Sequence, residues 1–162
     1  MSLGLFLSTT INRVDKKGRV SVPAGFRAAV ADTEDQGFQG VILFPSHNYP
    51  CLEGVGIGMI EDLARRLDTL DFLSSAQDDL ATVLFASSTQ LPFDNEGRII
   101  LTDALRAHAG LKTEALFAGM GRKFQVWDPG TYDERQRAAL ESVRRDGLTL
   151  PSLSGTDKGG QS

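Results

Sequence analysis

The sequence predicts an α+β protein, mainly β with helices, assembled from two related halves. Three observations predict it. The stretch from Val14 to Pro23 recurs from Phe93 to Thr102, with Asp15, Gly18 and Arg19 matched by Asp94, Gly97 and Arg98 at a constant offset of 79; Phe26-Arg27 and Leu105-Arg106 extend the match. Short β-branched, alternating segments flank both copies, as half-buried strands do. Apolar residues at helical spacing follow each copy. Two copies are too few for a solenoid. A half of about 70–80 residues is small for an independent core, so the two are expected to bury against each other as a pseudo-twofold pair.

Residues 9–14 and 19–22 alternate as strands, and Asp15-Lys16-Lys17-Gly18 between them carries turn chemistry. Asp suits the first turn position, where its carboxylate bonds backbone N–H groups, and Gly suits a last position with φ > 0. The pair is read as a β-hairpin with a four-residue loop. Pro23 stops the strand and opens a short helix over residues 24–30, with Val20, Val22, Phe26 and Val30 facing the core. Residues 32–37 are loop-like, 41–44 are a continuous apolar run expected as a buried strand, and 51–54 are a weaker strand. Ile60, Leu63, Ala64, Leu67 and Leu70 predict one helix. A second starts after Ser74 or Ser75, with Asp78 and Asp79 in its first turn and Leu80, Val83, Leu84 and Ala76 on its apolar face.

The order then repeats. Residues 88–93 form the incoming strand, 94–97 the turn and 98–101 the outgoing strand. Thr102 or Asp103 caps a helix that ends before Gly110, an αL C-cap. Residues 115–118 and 124–127 are strands, and Thr131 with Glu134 forms a capping box that opens a helix bearing Tyr132, Ala139, Leu140 and Val143 on one face. The first repeat is set at residues 4–77 and the second at 78–145. The Gly/Ser/Thr-rich residues 146–162 are expected to be a disordered tail.

No apolar run approaches the roughly 20 residues of a membrane span, and residues 1–8 lack the basic flank of a signal peptide. Cys51 is the single cysteine, which excludes an intramolecular disulfide and fits a reducing cytoplasm. Net charge is −4, yet residues 1–30 carry +4 (Arg13, Lys16, Lys17, Arg19 and Arg27 against Asp15), leaving −8 for the remainder. The chain is an acidic body with a basic N-terminal motif.

The pattern Asp-x-x-Gly-Arg-[Val/Ile]-x-[Val/Leu], running on to Phe26-Arg27, resembles the DNA-binding hairpin of the AbrB/SpoVT swapped-hairpin superfamily. Two copies, with the Tyr49–Leu52 segment and the Gly121–Asp128 segment, are similar specifically to the MraZ family of bacterial transcriptional regulators, over roughly residues 4–145. The resemblance implies two SpoVT/AbrB-like halves forming a swapped-hairpin β-barrel, assembled into a ring-shaped homo-oligomer. It also implies regulation of the cell-division and cell-wall gene cluster through short direct repeats in double-stranded DNA upstream of its own operon, and hence a cytoplasmic, nucleoid-associated protein. The family's Asp-x-x-x-Arg motif maps onto Asp15 with Arg19 and Asp94 with Arg98, the first of which faces DNA in the family. The second copy departs from the pattern: Thr102 replaces Pro23, and Asn95-Glu96 replace Lys16-Lys17.

A protruding hairpin or ribbon fits a major groove. Lys16 and Lys17 are expected to meet phosphates, and Arg19 a phosphate or a guanine edge through its bidentate fork. Asp15 is expected to cap the turn and orient Arg19, while Arg13 and Arg27 flank the same face. Asp94, Arg98 and Arg106 form the corresponding second-copy set, where Glu96 would repel phosphates. Read alone, Asp15–Arg19 is equally a surface salt bridge of little energetic weight, and a structural or protein-interaction module with the same fold is the alternative function. No cofactor and no metal site are expected: His47 and Cys51 supply two ligands only, and His108 belongs to a separate helix. No nucleophile elbow marks an enzyme. The glycines at 54, 56 and 58 lack the Lys-Ser/Thr of a P-loop. Phe124 and Trp127 read as core or subunit interface, and Arg65-Arg66 and Arg144-Arg145 as solvated helix faces.

Overall fold

The structure, a computed structural model, describes residues 4–31 and 37–153. It divides into two compact units, Met1–Pro129 and Gly130–Ser162. The first unit contains strands β1 (Thr9–Arg13), β2 (Arg19–Ser21), β3 (Gly40–Pro45), β4 (Leu52–Val55), β5 (Thr89–Pro92), β6 (Arg98–Ile100), β7 (Glu114–Gly119) and β8 (Phe124–Trp127). Its helices are α1 (Ala24–Ala31), α2 (Ile57–Leu67), α3 (Ser75–Ala81) and α4 (Asp103–Ala109). The expected loop at residues 32–37 lies almost wholly outside the described residues.

All strand pairing is antiparallel, in a six-stranded sheet ordered β1-β7-β8-β4-β3-β5 and a two-stranded ribbon of β2 and β6. This corrects the expected hairpins. The arms around the first turn form no ladder: they share an isolated bridge between Val14 and Val20, the turn-closing bond from the Asp15 N–H to the Arg19 carbonyl and a side-chain bond from Asn12 Nδ2 to the Ser21 carbonyl. Beyond it, β1 pairs with β7, β5 with β3, and the two outgoing strands pair with each other. Each incoming strand is thus exchanged onto the other repeat. Exchange is open to two similar halves because each presents the same sheet edge, and turn chemistry fixes the turn without fixing the partner of its arms.

The sheet order is symmetric about the β4–β8 junction. At its centre Glu53 lies opposite Gln125. Both are buried: Gln125 Nε2 donates to the Glu53 carboxylate at 3.2 Å, Trp127 Nε1 donates to Gln125 Oε1 at 2.9 Å, and Lys123 Nζ pairs with Glu53 at 3.0 Å. Satisfied in this way, a buried carboxylate is tolerated.

The main core draws on both repeats, with Phe6 and Phe26 packed against Phe124 at ring separations of 5.0 and 5.2 Å and Phe117 alongside. Val20, Val22, Phe26 and Val30 are buried as expected, and Phe124 and Trp127 are core. β3 is buried on both faces, which explains its unbroken apolar run: Val41 and Leu43 join the main core, while Ile42 and Phe44 meet Ile57, Met59, Ile60 and Leu84. Gly54 sits against the Phe124 ring, so that glycine serves packing and not a phosphate loop.

The helix caps follow the sequence closely. Ser74 Oγ accepts from Gln77 N at α3, Thr102 Oγ1 accepts from Leu105 N at α4, and Gly110 ends α4 at φ 64°. α3 runs on into a π-helical turn, Thr82–Ala86, where Thr82 Oγ1 donates back to the Asp78 carbonyl. Leu80 is exposed, in contrast to its expected place on an apolar face, whereas Leu84 packs inward.

The second unit is dominated by α5 (Pro129–Asp146), which begins two residues before the expected capping box. Pro129 takes the first helical position, where its missing N–H is no loss, so Thr131 lies inside the first turn. Gly147 at φ 62° and the Leu148 N–H to Val143 carbonyl bond close the helix. Residues 148–153 form no helix or strand, and the rest of the expected tail, 154–162, lies outside the described residues. No described helix is long and apolar enough to cross a membrane.

Candidate nucleic-acid interface

The register of the β2/β6 ribbon builds the candidate site. Arg19 pairs with Ile100, Val20 with Ile99 and Ser21 with Arg98. Val20 and Ile99 are equivalent residues of the two repeats, so a local twofold passes between them. The ribbon interlocks beyond these pairs: Leu101 N–H donates to the Gly18 carbonyl at 2.8 Å and Val22 N–H to the Gly97 carbonyl at 3.1 Å. Side chains alternate across a strand. Val20 and Ile99 therefore face the core, 1% and 0% exposed, while Arg19, Ser21, Arg98 and Ile100 share the opposite, solvent-facing side.

Each turn is closed by its aspartate. Asp15 Oδ1 accepts from the N–H groups of Lys17 and Arg19, both at 2.9 Å, and Oδ2 accepts from Arg19 Nε at 2.6 Å. Asp94 repeats this, with Glu96 N–H at 2.8 Å and Arg98 N–H and Nε at 2.9 Å. Gly18 and Gly97 complete the turns at φ 85° and 78°. The aspartates cap the turns and aim the arginines, as expected for Asp15. Asp15 engages Nε, and among the described residues the terminal nitrogens of Arg19 remain free to form a fork.

The arginine N–H, more than the guanidinium, holds each aspartate carboxyl below its ordinary value of 3.8; partial desolvation opposes this. Arg98 is raised, chiefly by its bond to Asp94, then by Glu96 and by Asp15 of the other turn. A carboxylate with a depressed folded-state pKa stabilises the fold above its unfolded value, and that contribution is lost as pH falls through the folded value. The thermal midpoint should therefore drop on acidification below about pH 4, and Asp15→Asn with Asp94→Asn should flatten that drop in circular dichroism melts. An unchanged slope in the double variant would exclude the turns as its source.

The other expected residues are placed unequally. Lys16 and Lys17 are exposed at the first tip. Arg13 is exposed on β1, directly opposite Glu114 of β7. Arg27 is half-buried, donates Nε to the Val22 carbonyl at 3.1 Å and lies against Gly97, bracing the second turn. Arg106, its counterpart, instead bonds the Lys112 carbonyl at 3.2 Å. At the second tip Glu96 reaches Arg98 Nη2 at 3.5 Å, so this arginine is shared between two carboxylates. Ser21 and Ile100 were not singled out by sequence, although their i+2 spacing from the two arginines is the signal that finds them. Among the described residues no group of His, Cys, Asp and Glu could hold a metal ion.

Comparison with known proteins identifies the setting of this ribbon. The chain is 47% identical over 142 residues to the transcriptional regulator MraZ of Gluconobacter oxydans, covering 88% of this chain and 87% of that protein. It is 43% identical over 158 residues to that of Gluconacetobacter diazotrophicus, with 98% of each covered. The chain belongs to the MraZ family. The MraZ protein of Rickettsia rickettsii, also named a transcriptional regulator, is 42% identical over 91% of this chain and 97% of its own length. The family profile described as "MraZ protein, putative antitoxin-like" matches residues 84–146, which hold the second turn and strands β5, β6, β7 and β8.

Proposed function

We propose that the protein is a sequence-specific, double-stranded-DNA-binding regulator of transcription that acts as a ring-shaped homo-oligomer. Its target is read as direct repeats upstream of the cell-division and cell-wall gene cluster, and its place as the cytoplasmic nucleoid. The observation that carries the reading is the exposed ribbon face, where Arg19 is aimed outward by Asp15 beside the exposed cations Lys16 and Lys17. The names of the relatives support it. Arg19 would read a guanine edge or grip a phosphate, Ile100 could touch a thymine methyl, and Lys16, Lys17, Arg13 and Arg27 would meet backbone. Asp94, Arg98 and Arg106 would form the weaker half of the contact. The strand exchange fits a swapped-hairpin barrel built from repeats 4–77 and 78–145.

So few cations make one subunit a weak binder, and a ring that engages several repeats at once restores affinity through effective concentration. A subunit neutralising about four phosphates should bind about 100-fold less tightly at ~200 mM than at ~50 mM salt. A mobility-shift assay on the protein's own upstream region at these two concentrations tests the reading. Lys16→Gln and Lys17→Gln should each reduce the salt slope by about one. The Glu96–Arg98 contact favours the alternative, a protein-interaction module without DNA binding, and an absent or salt-insensitive shift would decide for it.

A further inference from the structure

The loop between α2 and α3 presents two adjacent apolar side chains to solvent, Phe72 at 78% and Leu73 at 85% exposure. The loop is pinned in this form. Ser74 donates its N–H at 3.0 Å and its hydroxyl at 2.7 Å to the Asp71 carbonyl, and Leu70 N–H donates to the Leu67 carbonyl at 3.0 Å. Asp68 and Asp71 flank the knob, both exposed and, among the described residues, without an ion-pair partner. A single exposed leucine is unremarked on a protein surface, whereas a rigid Phe-Leu pair offers a contact.

The same molecule carries a matching recess. A cavity of about 400 Å³ opens beside α2, with Phe44, Met59, Leu63 and Leu84 as its apolar floor and Arg122 and Lys123 on its rim. Lys123 is paired with the buried Glu53, whereas Arg122 is exposed and unpaired among the described residues. An acidic collar thus surrounds the knob and a basic rim the hole, and charge complementarity of this kind selects the partner and its register.

We propose that the Phe72–Leu73 knob of one copy docks into the Met59–Leu63–Leu84 cavity of a second copy, with Asp68 and Asp71 meeting Arg122. The inference rests on the reading of the protein as a homo-oligomer and names the surface that joins the copies. A knob and hole on different patches of one chain form a heterologous contact, the type that closes into rings.

The test is molar mass by light scattering on the full-length protein, with circular dichroism to confirm folding. Phe72→Asp, at an exposed position, should reduce the assembly to monomer, and Arg122→Glu should do the same by repulsion. Mixing the two variants should restore dimers and nothing larger, because one intact knob then meets one intact hole. Asp71→Arg combined with Arg122→Glu should regain assembly that each loses alone. A monomeric wild type would overturn the homo-oligomer reading itself. An assembled wild type with unchanged Phe72→Asp and Arg122→Glu variants would overturn the docking alone, leaving that reading in place.

Discussion

Arg19→Ala should remove most DNA binding and leave the fold intact. Losing one bidentate arginine costs about 1–3 kcal/mol per contact, and in a multivalent assembly that loss is repeated at every engaged subunit, so a fall of well over 100-fold is expected. The fold survives because two of the three bonds to Asp15 come from the main-chain N–H groups of Lys17 and Arg19, which the substitution leaves in place. Arg98→Ala should cost about tenfold or less, since Glu96 and Asp94 already hold that guanidinium. Mobility shifts on the upstream region, paired with thermal melts, measure both. Equal losses with intact assemblies would overturn the assignment of the leading role to the first turn.

The second large effect concerns stability. Gly18→Ala should destabilise the protein by at least about 1–3 kcal/mol, the usual cost of a side chain held at positive φ. A Cβ there would also stand 2.7 Å from the Leu101 carbonyl oxygen, in the backbone segment that interlocks the repeats. Gly97→Ala should cost less. Its φ of 78° imposes similar strain, but the added carbon meets the Arg27 guanidinium, which can swing aside. Urea denaturation of both variants tests the order, and a larger loss for Gly97→Ala would contradict the view that, of the two turn glycines, Gly18 alone is crowded by backbone.

The sequence made legible whatever is decided within a few residues. The Asp-Gly turns, the Ser74 and Thr102 caps and the αL Gly110 all follow from local hydrogen-bond chemistry, and all are present. The aiming of Arg19 by Asp15 belongs to the same class. The partner of each strand was not legible in the strand pattern itself, because alternation in β1 is identical whether it pairs across its own turn or with β7; only the resemblance to a swapped-hairpin fold pointed toward an exchange. The shared face of Arg19 and Arg98 depends on the register of β2 against β6, which no local pattern carries. The buried Glu53–Gln125–Trp127 chain was equally unreadable, since a lone Glu in a short strand marks solvent unless its distant partners are known. The start of α5 was missed because Thr131 and Glu134 have the right spacing, yet Pro129 already fits the first turn.

The exchange of incoming strands also bears on how the protein comes into being. Thr9 has its ladder partner in Ala118, near the far end of the first compact unit. A nascent chain emerging at about 5–20 residues per second must therefore carry β1 unpaired until β7 has been synthesised. The first repeat cannot finish folding ahead of the second. The two mature together, once β7 has emerged, and a fragment ending before β7 would leave a strand edge open to pairing with other chains.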